Sequence, residues 1–408
     1  MKVSVGFLTY NSDKYLPDFL ESLVRQSFKD LEVLGLDNGS TELTTGGSRD
    51  DSAKFIQKNY PQIKFFQAKE NLGFSKGHNF LINVSRGEYY LCLNPDVLLE
   101  LNFIEELARV LDEKPKLGSV GGKLKYWDFK IPQPQYQMVH GEPPLSRGQE
   151  QQGQTLTVPK GSDPVAKEQL RGQDDGKTDM IDSLGLKFKA SHCFEDLAQG
   201  DLDRVEYNQS RQIFGPSGAA ALYRRKALDE VVLGQSDCFR LVSANTHNLK
   251  SSAYYQFFDE NMFAYKEDID LAYRLQWTSW KSWYQATAVA YHHRSAMKRK
   301  AQNAKLKSFL ETRKQKSRFI KKMSTLNHLI LLSKNFSWRF SWKIKISTVV
   351  LELGKFCYLF LREPYLLRQY WKFWSIRKKL HISPKKVGVV EIEKLIYWRD
   401  GRNPPSLF

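Results

Sequence analysis

The stretch Glu88 to Leu99, EYYLCLNPDVLL, is an apolar run interrupted once, at Asn94-Pro95-Asp96. A short run rich in Tyr, Leu and Cys that stops at a turn-forming Asn-Pro reads as a buried strand. Upstream, Val3 to Tyr10 predicts a first strand, and Asn11-Ser12-Asp13 leads into a helix with Leu16, Phe19, Leu20, Leu23 and Val24 on one face. Leu31 to Leu36 predicts a second strand that ends in Asp37-Asn38-Gly39-Ser40, and Ile63 to Phe66 a third. Glu70-Asn71-Leu72-Gly73-Phe74 then opens a helix through Val84. Strand and helix alternating at this spacing predict βαβ units, a parallel sheet and the α/β class. The polar, glycine-bearing strand ends then share one edge, which in such sheets is a nucleotide-sized crevice. Asp96 is delivered to that edge and is the candidate chemical centre. The plainer alternative is a turn leading into a helix over Asn102 to Leu111.

A chain of 408 residues, 41% hydrophobic and 13% aromatic, can bury a full core and has room for a large domain with an appendage, or for two domains. Cys92, Cys193, Cys238 and Cys357 are widely separated and form neither a disulfide framework nor a zinc spacing, which fits a reducing setting. The opening run MKVSVGFLTY is too short for the apolar core of a signal peptide, and no uncharged apolar run approaches the ~18 residues of a spanning helix. The expected location is cytoplasmic. The net charge of +17 is uneven: Met297 to Lys386 holds 24 Lys and Arg against 3 Asp and Glu, which leaves the rest of the chain slightly acidic.

FLTYN at Phe7 to Asn11, DNGS at Asp37 to Ser40, ENLGF with Asn79 behind it, and LNPDV at Leu93 to Val97 resemble the N-terminal signatures of family-2 glycosyltransferases with the GT-A fold. The resemblance continues through DSLGL at Asp182 to Leu186, GPSGAAALYRRKAL at Gly215 to Leu228 and FDENMFAYKEDIDLAYRL at Phe258 to Leu275, and ends with VAYHHRS at Val289 to Ser295. Asn-Pro-Asp, where many members have Asp-x-Asp, resembles the rhamnosyltransferase-like branch. The implied architecture is a Rossmann-like mixed sheet flanked by helices over residues 1–296, as in nucleotide-diphospho-sugar transferases, with a basic helical appendage over 297–408. Residues 127–180, rich in Gln, Gly and Pro, read as a flexible polar insertion.

A nucleotide-diphosphate sugar donor brings two adjacent phosphates, and its departing diphosphate needs fixed donors or a divalent cation, Mg²⁺ or Mn²⁺. Magnesium keeps several waters and takes only one or two carboxylates. The resemblance implies Asp96 as that carboxylate, with Asn94 beside it and His292, or His293 next to it, as a further metal contact. It also implies Asp37 as the nucleobase contact, with Thr9 and Asn11 nearby. The Asn71-Leu72-Gly73 turn is expected to aim backbone N–H groups and a helix N-terminus at the nucleotide. Acidic residues in the first turn of a helix at Lys266 to Asp270 complement its dipole in any protein. In the resemblance Asp268 is the general base that takes the acceptor hydroxyl's proton, Glu267 is the runner-up and Asp270 is structural. A single displacement without an enzyme nucleophile inverts the anomeric centre. Arg224 and Arg225 are candidate phosphate contacts, with plain solvation the alternative.

From Met297 onward, aromatic residues and helix-compatible apolar runs lie among Lys and Arg, a mixture that suits helices in an anionic membrane interface. Basic and aromatic residues also describe single-strand nucleic-acid binding, but the abundant Leu and Phe favour the membrane. The expected protein is peripheral to the inner face of the plasma membrane and binds no nucleic acid. It transfers a sugar, with dTDP-L-rhamnose the first choice of donor, to a glycan or polyprenyl-linked acceptor.

Overall fold

The computed structural model describes residues 1–40, 52–129, 176–236, 254–294, 313–314 and 316–397. Its centre is a ten-stranded mixed sheet. In the first half, strands β1 (Val3–Thr9), β2 (Leu31–Asp37), β3 (Lys64–Gln67) and β4 (Tyr89–Leu93) alternate with helices α1 (Leu16–Val24), α2 (Ser52–Asn59) and α3 (Gly73–Val84). Strand β5 (Val97–Leu99), helix α4 (Phe103–Glu113) and the long strand β6 (Leu117–Trp127) follow. The second half contributes β7 (Lys177–Ser183), the hairpin β8 (Leu186–Phe188) and β9 (Phe194–Asp196), β10 (Arg211–Ile213), β11 (Ala220–Arg224) and α5 (Arg225–Glu230). A small pair, β12 (Gln235–Ser236) and β13 (Tyr254–Tyr255), precedes helix α6 (Glu267–Trp277) and strand β14 (Lys281–His292). Helices α7 (Arg318–Asn335), α8 (Trp342–Arg362), α9 (Arg368–Ile376) and α10 (Val389–Glu393) follow among the described residues.

The sheet order is β10-β14-β6-β11-β4-β1-β2-β3, with β5 on β14 and β7 on β6. The βαβ reading is correct for the first half, where β4, β1, β2 and β3 pair in parallel. Strand β11 inserts antiparallel between β4 and β6, which makes the sheet mixed. Every residue of β4 is buried. Tyr89, Leu91 and Leu93 enter one core with α1 and α4, whereas Tyr90 and Cys92 enter the other with α3 and Leu271 of α6. The period-2 geometry of a strand puts successive side chains on opposite faces, so covering both faces with helices demands an apolar residue at every position.

Two expectations change. The insertion read over 127–180 ends earlier, because Lys177–Ser183 is strand β7, paired antiparallel with β6; residues 130–175 lie outside the described set. Its partly buried Met180 and buried Ile181 and Asp182 supply the anchoring that a Gln- and Gly-based reading overlooks. The basic helices after residue 312 also share a core with the sheet domain: Leu326, Ile330, Phe340 and Ile344 pack with Phe188, Phe214, Tyr273 and Trp277.

Candidate active site

The parallel strands end on one edge, and the sequence motifs follow those ends. Thr9 and Asp37 are register partners at the ends of β1 and β2, and Asn38 N–H donates to the Thr9 carbonyl at 2.8 Å. Asn11, at φ +51°, donates its N–H to Ser40 Oγ, which ties the two strand exits together. Asp37 Oδ1 accepts from Ser40 N–H at 3.0 Å. Thr9 is fully buried and its hydroxyl has no partner among the described residues.

The Asn71-Leu72-Gly73 turn is shaped by a residue that the motif reading passed over. The Asn38 side chain accepts from Leu72 N–H at 2.8 Å and donates to Asn71 Oδ1 and the Gly73 carbonyl. Asn71 Oδ1 in turn accepts from Gly73 N–H, and Phe74 N–H donates to the Phe263 carbonyl. The Leu72, Gly73 and Phe74 amides, in the turn expected to aim N–H groups at the nucleotide, are thus paired within the protein. Gly73 is required here: its φ is +77°, and an added Cβ would lie 2.4 Å from the Phe263 oxygen.

Asn94 N–H donates to Ala219 O, and Gly218 N–H donates to Asp268 Oδ2 at 3.0 Å, so the β4 exit and the start of α6 meet across the Gly218-Ala219 loop. Asp268 Oδ1 also accepts from Ile269 N–H at 2.8 Å. Glu267, beside it, is buried, and its Oε2 has no partner among the described residues. Burial raises both carboxyls; the Asp268 charge raises Glu267 further, and the Asp196 charge raises Asp268. The two backbone N–H donors favour an ionised Asp268, whereas Glu267, whose Oε2 has no partner among the described residues and whose carboxyl is raised well above its ordinary value, keeps the proton. Asp270 faces away: buried beside Arg274 and Lys334, it stays ionised despite its burial.

His292, at the end of β14, has Nε2 3.5 Å from Asp96 Oδ1 and Nδ1 2.8 Å from Asp182 Oδ2. Burial disfavours a charged ring, but Asp96 and Asp182 outweigh it and push its pKa up to about 10. The pocket is thus one in which a positive charge is favoured. Asp182 also meets Arg294 Nε at 3.0 Å, and Arg294 reaches Asp196 at 2.7 Å. His293 turns elsewhere: its ring pairs with the Trp127 carbonyl and packs on Tyr15 and Phe129. Of the two candidate histidines, His292 is the one facing Asp96.

This set fits a divalent cation. With Nδ1–H held by Asp182, displacement of the Nε2 proton by a cation would leave that lone pair and the Asp96 carboxylate facing the same space, the usual carboxylate-histidine support of a metal ligand. Among the described residues no group of three or more His, Cys, Asp or Glu forms a metal cage, so the remaining ligands would be water and diphosphate oxygen, as magnesium prefers. Neither Asp182 nor Arg294 was legible as a site residue, since Asp182 and His292 lie 110 positions apart.

Arg224 and Arg225 do other work. Arg224 donates to the Leu111 and Lys114 carbonyls at the end of α4 and to the Leu117 carbonyl at the start of β6, and Arg225 donates to Ile82 O, Ser85 O and Ser85 Oγ at the end of α3. Orphan carbonyls at a helix C-terminus attract a cation and a multiple donor, and this satisfies both arginines. Arg225→Ala is expected to cost about 1.5–3 kcal/mol of stability in urea unfolding. Nucleotide affinity, measured by titration calorimetry, should stay unchanged.

Residues 4–162 match the model of the family described as Glycosyl transferase family 2. An uncharacterized glycosyltransferase of Haemophilus influenzae is 27% identical over 123 residues, 30% of this chain and 36% of the relative. Glycosyltransferase GlyG of Streptococcus pneumoniae is 28% identical over 124 residues, 30% of this chain and 40% of the relative. The poly(ribitol-phosphate) beta-N-acetylglucosaminyltransferase TarS of Staphylococcus aureus is 30% identical over 118 residues, 28% of this chain and 19% of the relative. The crystal structure of S. aureus TarS 1-349 aligns with a TM-score of 0.42 at 16% identity, covering 91% of this chain and 79% of that one. The chain thus spans two fifths or less of the length of these curated relatives. Over residues 4–162, less than half of its length, the chain is thus similar to glycosyltransferase family 2, and its sheet is a mixed α/β one.

Proposed function

We propose that this chain is an inverting, metal-dependent glycosyltransferase that moves a sugar from a nucleotide-diphosphate donor to a hydroxyl of a glycan or lipid-linked glycan acceptor in cell-surface polysaccharide synthesis. The observation that carries this reading is the meeting, at one sheet edge, of the Asp96-His292-Asp182 group with Asp268 on its Gly218 N–H. Thr9, Asn11 and Asp37 border the nucleoside side, and Asn71 and Gly73 give that border its shape. Asn94 and Asp96 border the diphosphate. Asp96 and His292 would hold a Mg²⁺ or Mn²⁺ ion, which when bound neutralises charge on the departing diphosphate. Asp268 takes the proton from the acceptor hydroxyl as that oxygen attacks the anomeric carbon from the face opposite the leaving group. Glu267, neutral beside it, leaves Asp268 as the single negative charge of the pair.

The proposed donor is dTDP-L-rhamnose, on the strength of Asn94 in place of an acidic residue; a UDP- or GDP-sugar on the same scaffold is the alternative. The proposed setting is the inner face of the plasma membrane, with no nucleic-acid partner. A thermal-shift screen against dTDP-, UDP- and GDP-sugars, each with and without Mg²⁺ or Mn²⁺, tests this reading. A ligand of the native state raises apparent stability by about 2.7 kcal/mol at a hundred times its Kd. The expected result is a metal-dependent shift with one nucleotide class. A metal-independent shift removes the cation from the proposal, and no shift with any class removes the donor.

A further inference from the structure

Helix α8 is built inside out for a protein surrounded by water. Toward the protein it presents Ile344, Thr348 and Leu359 as its buried residues, together with two charged groups, Glu352 and Lys355. Thr348 Oγ1 meets His192 Nδ1 at 3.1 Å, and Glu352 and Lys355 each reach His328 Nε2 at 2.7 Å. Away from the protein it presents Trp342, Ile346, Val350, Leu353, Phe356 and Phe360, whose spacing of three and four residues puts them on one face. Val350, Leu353 and Phe360 are 61–63% exposed. A surface helix in water carries the opposite arrangement.

We propose that this outward face of α8 docks on an anionic lipid bilayer, the helix lying in the plane of the headgroups with its apolar stripe turned into the acyl boundary. Charge selects this occupant. From Phe336 to Leu380 every exposed charged residue is Lys or Arg, while the two acids of that stretch, Glu352 and Glu363, are held in ion pairs. The neighbouring helix α9 exposes Trp371 and Trp374, with Arg377 stacked 3.7 Å from the Trp374 ring, the amphipathic residue types of a membrane interface. A second copy of the chain would bring the same positive flank against this one. A nucleic acid would satisfy the cations and stack on Trp, yet leave Val350, Leu353 and Phe360 against water. Spanning is not the mode, since no helix among the described residues is long and apolar enough to cross a membrane.

The docking face also has a place relative to the site. On the inward side of α8, His328 Nδ1 lies 3.5 Å from Lys266 Nζ, and Lys266 immediately precedes Glu267 and Asp268. Helix α8, roughly 10 Å across, and the His328 side chain of α7 therefore lie between the bilayer and the start of α6. Resting on the proposed role of Asp268, this geometry points to an acceptor anchored in the bilayer and presented at its surface.

The full chain tests this in sedimentation with vesicles of equal parts phosphatidylglycerol and phosphatidylcholine, against vesicles of phosphatidylcholine alone. The expected result is binding to the anionic vesicles only. The triple variant Val350→Glu, Leu353→Glu, Phe360→Glu should lose at least about tenfold in affinity, because three side chains no longer leave water. Since all three are exposed, its melting temperature and its nucleotide-induced shift should match the parent's. Undiminished binding by the variant overturns the proposal, as does absence of binding by the parent. A concentration-dependent dimer in vesicle-free solution that the variant abolishes overturns it in favour of a second copy. Failure of the donor reading appears separately, as a missing nucleotide shift with vesicle binding intact.

Discussion

Asp268→Asn is expected to lower kcat by about a hundred- to ten-thousand-fold, the usual worth of a general base, while nucleotide affinity stays within a few fold. The substitution is close to isosteric, and its amide oxygen can still accept from Gly218 N–H, so the turn that positions it survives. Glu267→Gln is the informative companion. A buried carboxyl that keeps its proton is replaced by its neutral isostere, and the expected loss is small; a large loss there, with Asp268→Asn near normal, would exchange the two roles. The pH dependence carries a sign. A general base works deprotonated, and burial raises Asp268 above the ordinary carboxylate range, so kcat/KM should fall as pH drops through a limb lying above that range. Stability moves the other way. Across the window between the unfolded and the raised folded pKa values the folded state binds more protons than the unfolded one, so stability declines as pH rises through it. Activity on the acid side therefore improves where this pair contributes least to stability. A pH series of rates and of urea midpoints on the same preparation reads both.

What could be read ahead of the structure was what repeats locally. β4 announced itself because burial on two faces demands an unbroken apolar run, and Asp96 followed because a strand that ends in Asn-Pro delivers its next side chain to an edge. The ends of β1 and β2 were legible for the same reason, as Thr9 and Asp37 indeed sit in register. The pairings that depend on distant segments were not. Asp182 looks like any acid in a strand until β7 and β14 bring it against His292, and Asn38 looks like a turn residue until its amide is seen holding Leu72 and Gly73. Arg224 and Arg225 show the converse failure: a pair of cations at a strand end suggests an anionic ligand, yet the acceptors they meet are the carbonyl ends of two helices. The polar look of residues up to 180 likewise concealed β7, whose Ile181 and Asp182 are fully buried.

Lys334 is the sharpest instance, because in a count of charge it is one more cation in a basic segment. It is only 3% exposed, and its Nζ lies 2.9 Å from Asp259 and 2.6 Å from Asp270, both buried, with Arg274 on the other oxygen of Asp270. Removing one member of a buried ionic group leaves the others charged and without compensation, a cost of about 3–5 kcal/mol, whereas an exposed pair is worth little. Lys334→Met is therefore expected to lower the urea midpoint by that equivalent at unchanged slope, while Lys343→Met, on an exposed position of α8, should stay within about 0.5 kcal/mol. The same geometry governs what truncation does. A chain cut before α7 keeps Asp259 and Asp270 but loses their lysine, and it also strips Leu326, Ile330 and Phe340 from the core they share with Tyr273 and Trp277. The sheet domain should then fail to fold by itself, and limited proteolysis of the intact chain should release no stable fragment ending before residue 313. A Lys334→Met protein as stable as the parent would mean that water reaches these charges, and would turn α7 into an element merely resting on the sheet domain. The expected loss instead makes α7 part of the support of α6, so that the helix bearing Asp268 is held from behind by the segment whose next helix, α8, faces outward.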